Sequence, residues 1–447
     1  MTLPTSPPVT FADPYTLNHG STSYRVDRYE LELDVRLGSN KLIGKAVLRC
    51  TALEAMTQVV LDLVGLRATK VQLDGKKVQK FSHRAEHLVL SPGSALRAGQ
   101  EFVVEIRYDG NPGPRRGLWG DVGWEELTDG VLVAGQPNGA ASWFPCNDHP
   151  RFKSSYLISV TTDDDYRPVC NGKLLSHSRK SSRETWVYEQ TEPMATYLAT
   201  VQIGRYSRVA LNTEGAHHRV PQYVAVTPGM AIEALEGLER QPDMMRTFED
   251  CFGPYPFGDY TSVVTEDDLE IPLEAQTVSI FGRNHMRASW EAQRLIAHEL
   301  SHQWFGNSLT VSTWKDIWLH EGFACYAEWL WSEESRTMTV QARATAAWKR
   351  LDAGPQDLLV GDPGPELMFD DRVYKRGALA VHAVRLAAGD EAFFAFLHHW
   401  TATNRFGSVS THAFIKAMDS FIAGFDAGAI LRPWLYEATL PPLPAAR

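Results

Sequence analysis

The period of the apolar residues changes once along the chain, near residue 204, and that change limits what the chain can fold into. Before it, short runs alternate apolar and polar residues, at 24–37 (YRVDRYELELDVRL), 45–51, 58–63, 102–108, 155–161 and 185–189. A period of two puts alternate side chains on one face of a strand. Turn formers separate the runs, at Asp74-Gly75, Ser91-Pro92-Gly93 and Asp109-Gly110-Asn111-Pro112. After Pro228 the spacing becomes helical. Residues 229–250 are expected as a helix, 260–264 and 276–281 as short strands, and most of 289–438 as helices. The expectation is an α+β multidomain chain, with an all-β domain over 1–204 and an α+β domain over 205–447.

Composition narrows the class. Hydrophobic residues are 44% and charged residues 22% of 447, as in folded globular chains rather than disordered ones. Forty-four basic against 54 acidic residues give a net charge of -10, which argues against nucleic acid as a partner. No apolar run is long enough to span a bilayer, so no membrane partner is expected. The five cysteines (Cys50, Cys146, Cys170, Cys251 and Cys325) are scattered and lack Cys-x-x-Cys spacing, which argues against a disulfide framework or a cysteine zinc site. The N-terminus has neither a basic start nor an apolar core, so a cytoplasmic location is expected, and the residues before Tyr15 read as a mobile lead-in.

The informative stretch is 289–306, SWEAQRLIAHELSHQWFG. Ser289 suits a helix N-cap, Glu291 the first turn and Gly306 the stop. Within it, His298 and His302 stand four apart, so they share one helical face about 6 Å apart, within reach of one tetrahedral zinc. Glu299 between them is placed to take a proton from water at that metal. Eighteen residues after His302 comes Glu321, at the start of a second expected helix that runs to about Glu334. Two packed helices would bring Glu321 to the metal. Two His and one Glu leave a coordination position open, the arrangement of catalytic rather than structural zinc. Glu328, two turns further on, reads equally as a partner of a ligand histidine or as a solvated glutamate.

At this point the sequence resembles a known family. HELSHQWFGN (298–307) and WKDIWLHEGFACYAEWLW (314–331) are similar to the core of the gluzincin aminopeptidases of the aminopeptidase N / leukotriene hydrolase family. One departure is His320, where that family usually has Asn. The resemblance implies a β-saddle domain followed by a thermolysin-like catalytic domain, one Zn2+ per chain held by His298, His302 and Glu321, and Glu299 as general base. It also implies an anchor for the substrate's free α-amine. Residues 271–275 (Ile-Pro-Leu-Glu-Ala) match the family's Gly-x-Met-Glu-Asn only at Glu274, which is the implied amine anchor just before the expected strand at 276. Counting back from Phe144-Pro145-Cys146 nominates Gln136 as a second amine contact, with Asn138 the nearby alternative. Cys146 then reads as a buried packing residue. In 372–378 (RVYKRGA), similar to the family's Val-Tyr-x-Lys-Gly with Arg376 in place of Lys, Tyr374 is the implied oxyanion donor.

The chain stops at Arg447, so a two-domain form without the family's C-terminal helical domain is expected, with a more open cleft. The function expected is that of a zinc-dependent aminopeptidase acting on peptides with a free N-terminus. An endopeptidase, an epoxide-hydrolase-type enzyme and a non-catalytic peptide-binding scaffold are the alternatives. The oligomeric state is left open.

Overall fold

The computed structural model describes residues 13–78, 80–211 and 220–444. Most of the lead-in before Tyr15 therefore lies outside the described residues. The chain divides into two compact units, Met1–Tyr206 and Ser207–Arg447.

The first unit is all-β apart from short 3-10 turns. Its largest sheet has eight strands, in the order Lys173–Lys180, Arg183–Ala195, Lys153–Asp163, Tyr24–Arg36, Lys41–Ala52, Glu101–Gly110, Arg67–Leu73 and Lys76–Lys77. The alternation in the first long strand changes parity midway. Tyr24 and Val26 are buried, and then Tyr29, Leu31, Leu33 and Val35. A bulge between Val26 and Arg28 inserts the extra residue, which bends the strand and returns the apolar set to the core face. A five-stranded sheet and a three-stranded sheet complete the unit. Several strands of the unit, among them Gly120–Leu127 and Lys173–Lys180, were not expected. The second of these is almost wholly exposed, so it carries no two-residue apolar rhythm to read.

The second unit has a five-stranded sheet in the order Ser207–Ala210, Gln222–Val226, Tyr260–Thr265, Val278–Gly282 and Leu273–Ala275. The three middle strands are parallel, and the short last strand returns antiparallel at the edge. Nine α-helices are described: α1 (Ala231–Gly237), α2 (Gln241–Phe252), α3 (Trp290–Ser301), α4 (Trp318–Glu334), α5 (Val340–Asp352), α6 (Asp371–Ala388), α7 (Asp390–Thr403), α8 (Thr411–Phe421) and α9 (Ala427–Tyr436).

Two expectations are corrected here. The single helix over 229–250 is split into α1 and α2. Pro242 lacks an N–H and fits only a first helical turn, so a new helix starts there. Gly237, just before the break, lies so close to Met286 that a Cβ would fall 3.0 Å from its Cα. The strand expected from 276 is instead two strands joined at Gln276-Thr277, with Thr277 in the left-handed region at φ 66°. Glu274 is thus inside an edge strand rather than ahead of one.

α4 is the axis of this unit. Every residue from Trp318 to Ser332 is buried, so it is a core helix with no solvent face. Glu321 and Glu328 within this stretch are therefore buried groups that need partners.

Candidate active site

α3 is built as its punctuation implies. The Ser289 side chain accepts the N–H of Ala292, and the helix runs to Ser301 with His302 as its C-cap. His298 and His302 stand one turn apart with ring centroids 4.8 Å apart. The Nδ1 of each has its own partner: Glu328 Oε1 at 2.8 Å for His298, and the Phe305 carbonyl at 2.9 Å for His302. Donation from Nδ1–H fixes the tautomer and turns both Nε2 lone pairs inward. They face Glu321 Oε2 at 3.3 Å and 3.5 Å. A tetrahedral ion with bonds of about 2.0–2.1 Å has ligand–ligand edges of about 3.4 Å, so these three donors fit one zinc ion. Glu299, at 4% exposure, has a carboxylate oxygen (Oε2) with no hydrogen-bond partner among the described residues, buried beside them.

Glu328 is not a solvated glutamate. It is buried, and Arg294 lies 3.4 Å from its second oxygen. Burial alone would raise its pKa, but Lys375, His298 and Arg294 bring it down to about 2. Glu321 is likewise held below the carboxylate range: burial opposes this, and the two imidazoles outweigh it. In turn, against the effect of burial, the carboxylates push His298 up to about 9 and His302 up to about 10. The same negative charges that attract those protons attract a divalent cation, which competes with them.

The helix crossing that sets the distance from Glu321 to Tyr374 is made by two glycines. A Cβ on Gly322 would lie 2.9 Å from the Gly377 carbonyl carbon, and one on Gly377 would lie 2.9 Å from the Gly322 Cα. Backbones this close tolerate no side chain. α4 and α6 therefore meet one residue beyond Glu321 and three beyond Tyr374. The Tyr374 ring stacks on the His298 ring at 5.9 Å and 20°. Burial, with the charges of Glu321, Glu274 and Glu299, pushes its phenol well above the usual value, so it stays a donor.

Glu274 comes from the edge hairpin. Its carboxylate lies within 4.8 Å of ligand atoms of Glu299 and His302. The hairpin is tied to the residues after α3: Gln303 accepts the Thr277 N–H at 2.8 Å, and Gln303 and Asn307 both donate to the Ala275 carbonyl at 3.0 Å. These two amides were not singled out from the sequence. Nothing local in HELSHQWFGN says which strand they will hold. Arg294 and Lys375 were missed for the same reason, although Arg294 stands one helical turn before His298.

His320 neither faces the metal cluster nor simply fills space. Its Nε2 accepts the Val311 N–H at 2.9 Å and ties the first turn of α4 to the short strand Thr310–Val311. In the first unit, Gln136 is half-buried directly after the strand Gly130–Ala134, and Asn138 is buried. Cys146 is wholly buried, and its backbone pairs with Asp62, as a packing residue would. All five cysteines are free thiols.

Proteins similar to this chain are known in sequence and in structure. The Peptidase M1 N-terminal domain matches residues 25–198, and the Peptidase family M1 domain matches residues 236–434. A leucyl aminopeptidase of Saccharolobus solfataricus is 24% identical over 93% of this chain, and the chain spans 54% of that relative's length. A leukotriene A-4 hydrolase of Xenopus laevis is 25% identical over 98% of this chain and 74% of its own. Among solved structures, an M1 zinc metallopeptidase from Deinococcus radiodurans is 30% identical, with a TM-score of 0.88 over 97% of this chain and 99% of that one. A mutant of the Deinococcus enzyme bound to a Tyr-Ser-Ala substrate gives a TM-score of 0.89 at 29% identity. With its zinc-fitting His, His, Glu cluster on α3 and α4 and a relative matched at 30% identity over nearly its full length, the chain belongs to peptidase family M1.

Proposed function

We propose that the chain is a zinc-dependent aminopeptidase that removes the N-terminal residue from peptides with a free α-amine. One juxtaposition carries this reading: the Glu274 carboxylate beside Glu299 and His302. Neither metal binding nor proton transfer needs that third carboxylate, whereas a substrate ammonium does, because it is costly to desolvate unpaired. The Tyr-Ser-Ala peptide bound to the Deinococcus relative supports the same substrate class.

Zinc held by His298, His302 and Glu321 would supply Lewis acidity, polarising the scissile carbonyl and lowering the pKa of water. Glu299 takes the proton from the attacking water and returns it to the leaving amine. Burial raises its affinity for that proton while the two imidazoles lower it, a balance that suits a group working in both directions. Tyr374 donates its hydroxyl to the carbonyl oxygen as negative charge builds there. Glu274 holds the ammonium, so that only the first peptide bond reaches Glu299. We place the protein in the cytoplasm, in keeping with its five free thiols.

Release of leucine from a Leu-Ala-Ala peptide tests the reading. Zinc-loaded protein should release it, chelation should stop release, and added zinc should restore it. Glu274→Ala should raise KM about 10–100-fold, the worth of one charge-assisted hydrogen bond. Zinc-loaded protein that releases no amino acid would sink the proposal.

A further inference from the structure

Arg376 stands two residues after Tyr374 on α6, about 200° away around the helix axis, and is 4% exposed. Its guanidinium addresses a single stretch of backbone. Nε donates to the Trp434 carbonyl at 2.7 Å, and one terminal nitrogen donates to that of Ala438 at 2.8 Å. The other donates to those of Pro433 at 2.9 Å, Thr439 at 3.2 Å, and Glu437. Pro433 and Trp434 lie in the last turn of α9, where no residue of the helix itself can satisfy the carbonyls. That helix lacks a left-handed cap, since Glu437 is extended at φ −119°. A cation at this end also opposes the negative pole of the helix.

A second face of α6, about 100° round the axis from Arg376, is fixed by a different device, the contact between Gly377 and Gly322. α6 is therefore held against α4 on one face and against the end of α9 on another, and its freedom to rotate is what would move the Tyr374 ring off His298. We propose that Arg376 is a positioning residue for the reaction: by clamping α6 to residues 433–439 it sets the rotation that keeps Tyr374 at the metal cluster. This rests on the reading of Tyr374 as the oxyanion donor. Lysine keeps the charge at this position but carries its donors on one nitrogen, so it cannot span five carbonyls as the planar fork does.

The test is steady-state kinetics on zinc-loaded Tyr374→Phe, Arg376→Lys and the double variant, with zinc content and Tm measured on each. Tyr374→Phe should lower kcat about 10²–10³-fold. Arg376→Lys should lower kcat about 10–100-fold, the scale of a small misplacement, with KM within about twofold and zinc content unchanged. The double variant should be no slower than Tyr374→Phe alone, because both act through one hydroxyl. Full kcat in Arg376→Lys, or losses that multiply in the double variant, overturns the proposal. Full kcat in Tyr374→Phe instead removes the oxyanion reading itself. If Arg376→Lys does not fold, Arg376→Gln, whose neutral amide can still donate to a carbonyl at this helix end, takes its place. Its kcat loss should vanish in the Tyr374→Phe background, and a multiplied loss there counts against the proposal.

Discussion

Glu299 and Glu328 are both buried glutamates beside His298, yet they should fail differently when replaced. On the proposed mechanism, Glu299→Gln removes the proton acceptor and leaves the donor set intact. It should lower kcat by about 10²–10⁴-fold with zinc content unchanged, as read by elemental analysis alongside turnover. Glu328→Ala leaves the base in place and frees the His298 ring. Zinc affinity should fall about 10–100-fold, measured by competition with a chromophoric chelator, and unchanged affinity would show that the hydrogen bond does not matter to the metal. The difference is legible only in part from sequence. His298, Glu299 and His302 declare themselves because helical spacing alone puts them together. Glu328 offers nothing local to separate a ligand's partner from a surface glutamate. Its identity depends on α4 being buried on all sides, which is a tertiary fact.

Elements position the site through close approaches that sequence periodicity does not encode. Gly322 and Gly377 look like ordinary helical glycines, unfavourable by about 1 kcal/mol relative to alanine in isolation. In the fold they are the crossing point of α4 and α6. Gly322→Ala should therefore destabilise, despite its better helix propensity, by about 1–3 kcal/mol, read as a lower urea midpoint. A stabilised variant would mean that the helices can part without penalty. The long alternating strands and the helices α3 and α4 are legible because their patterns run for several turns or pleats. The edge hairpin is not, since Thr277 must take a positive φ that a β-branched residue rarely adopts. The amides of Gln303 and Asn307, more than 25 residues away, hold it there together with the Thr261 N–H, which donates to the Thr277 carbonyl. The break between α1 and α2 had a readable signal in Pro242, outweighed by the helical spacing around it.

At the scale of the molecule, the two units carry different kinds of buried charge. The catalytic unit buries ligands that an ion would compensate. The N-terminal unit buries Asp148, whose pKa is pushed up to about 6 by burial and by the charge of Asp62. Its folded value lies above its unfolded value, so the native state holds the proton more tightly. The associated stability is present below about pH 4 and lost as pH rises through about 6. Asp148→Asn keeps an oxygen for the Thr196 hydroxyl and cannot ionise. Its stability relative to the natural chain should rise between pH 4 and pH 7, by on the order of 2–3 kcal/mol at most, followed by urea unfolding at several pH values. A difference that does not change with pH would contradict this.

On the proposed function, the free α-amine of the substrate is what the site recognises. Two leucine-initiated peptides, identical except for an acetyl cap on one, would be given to the zinc-loaded protein and the products followed by mass spectrometry. Only the uncapped peptide should lose leucine, and the capped one should stay whole. Internal cleavage of both would contradict it and make the protein an endopeptidase on this scaffold.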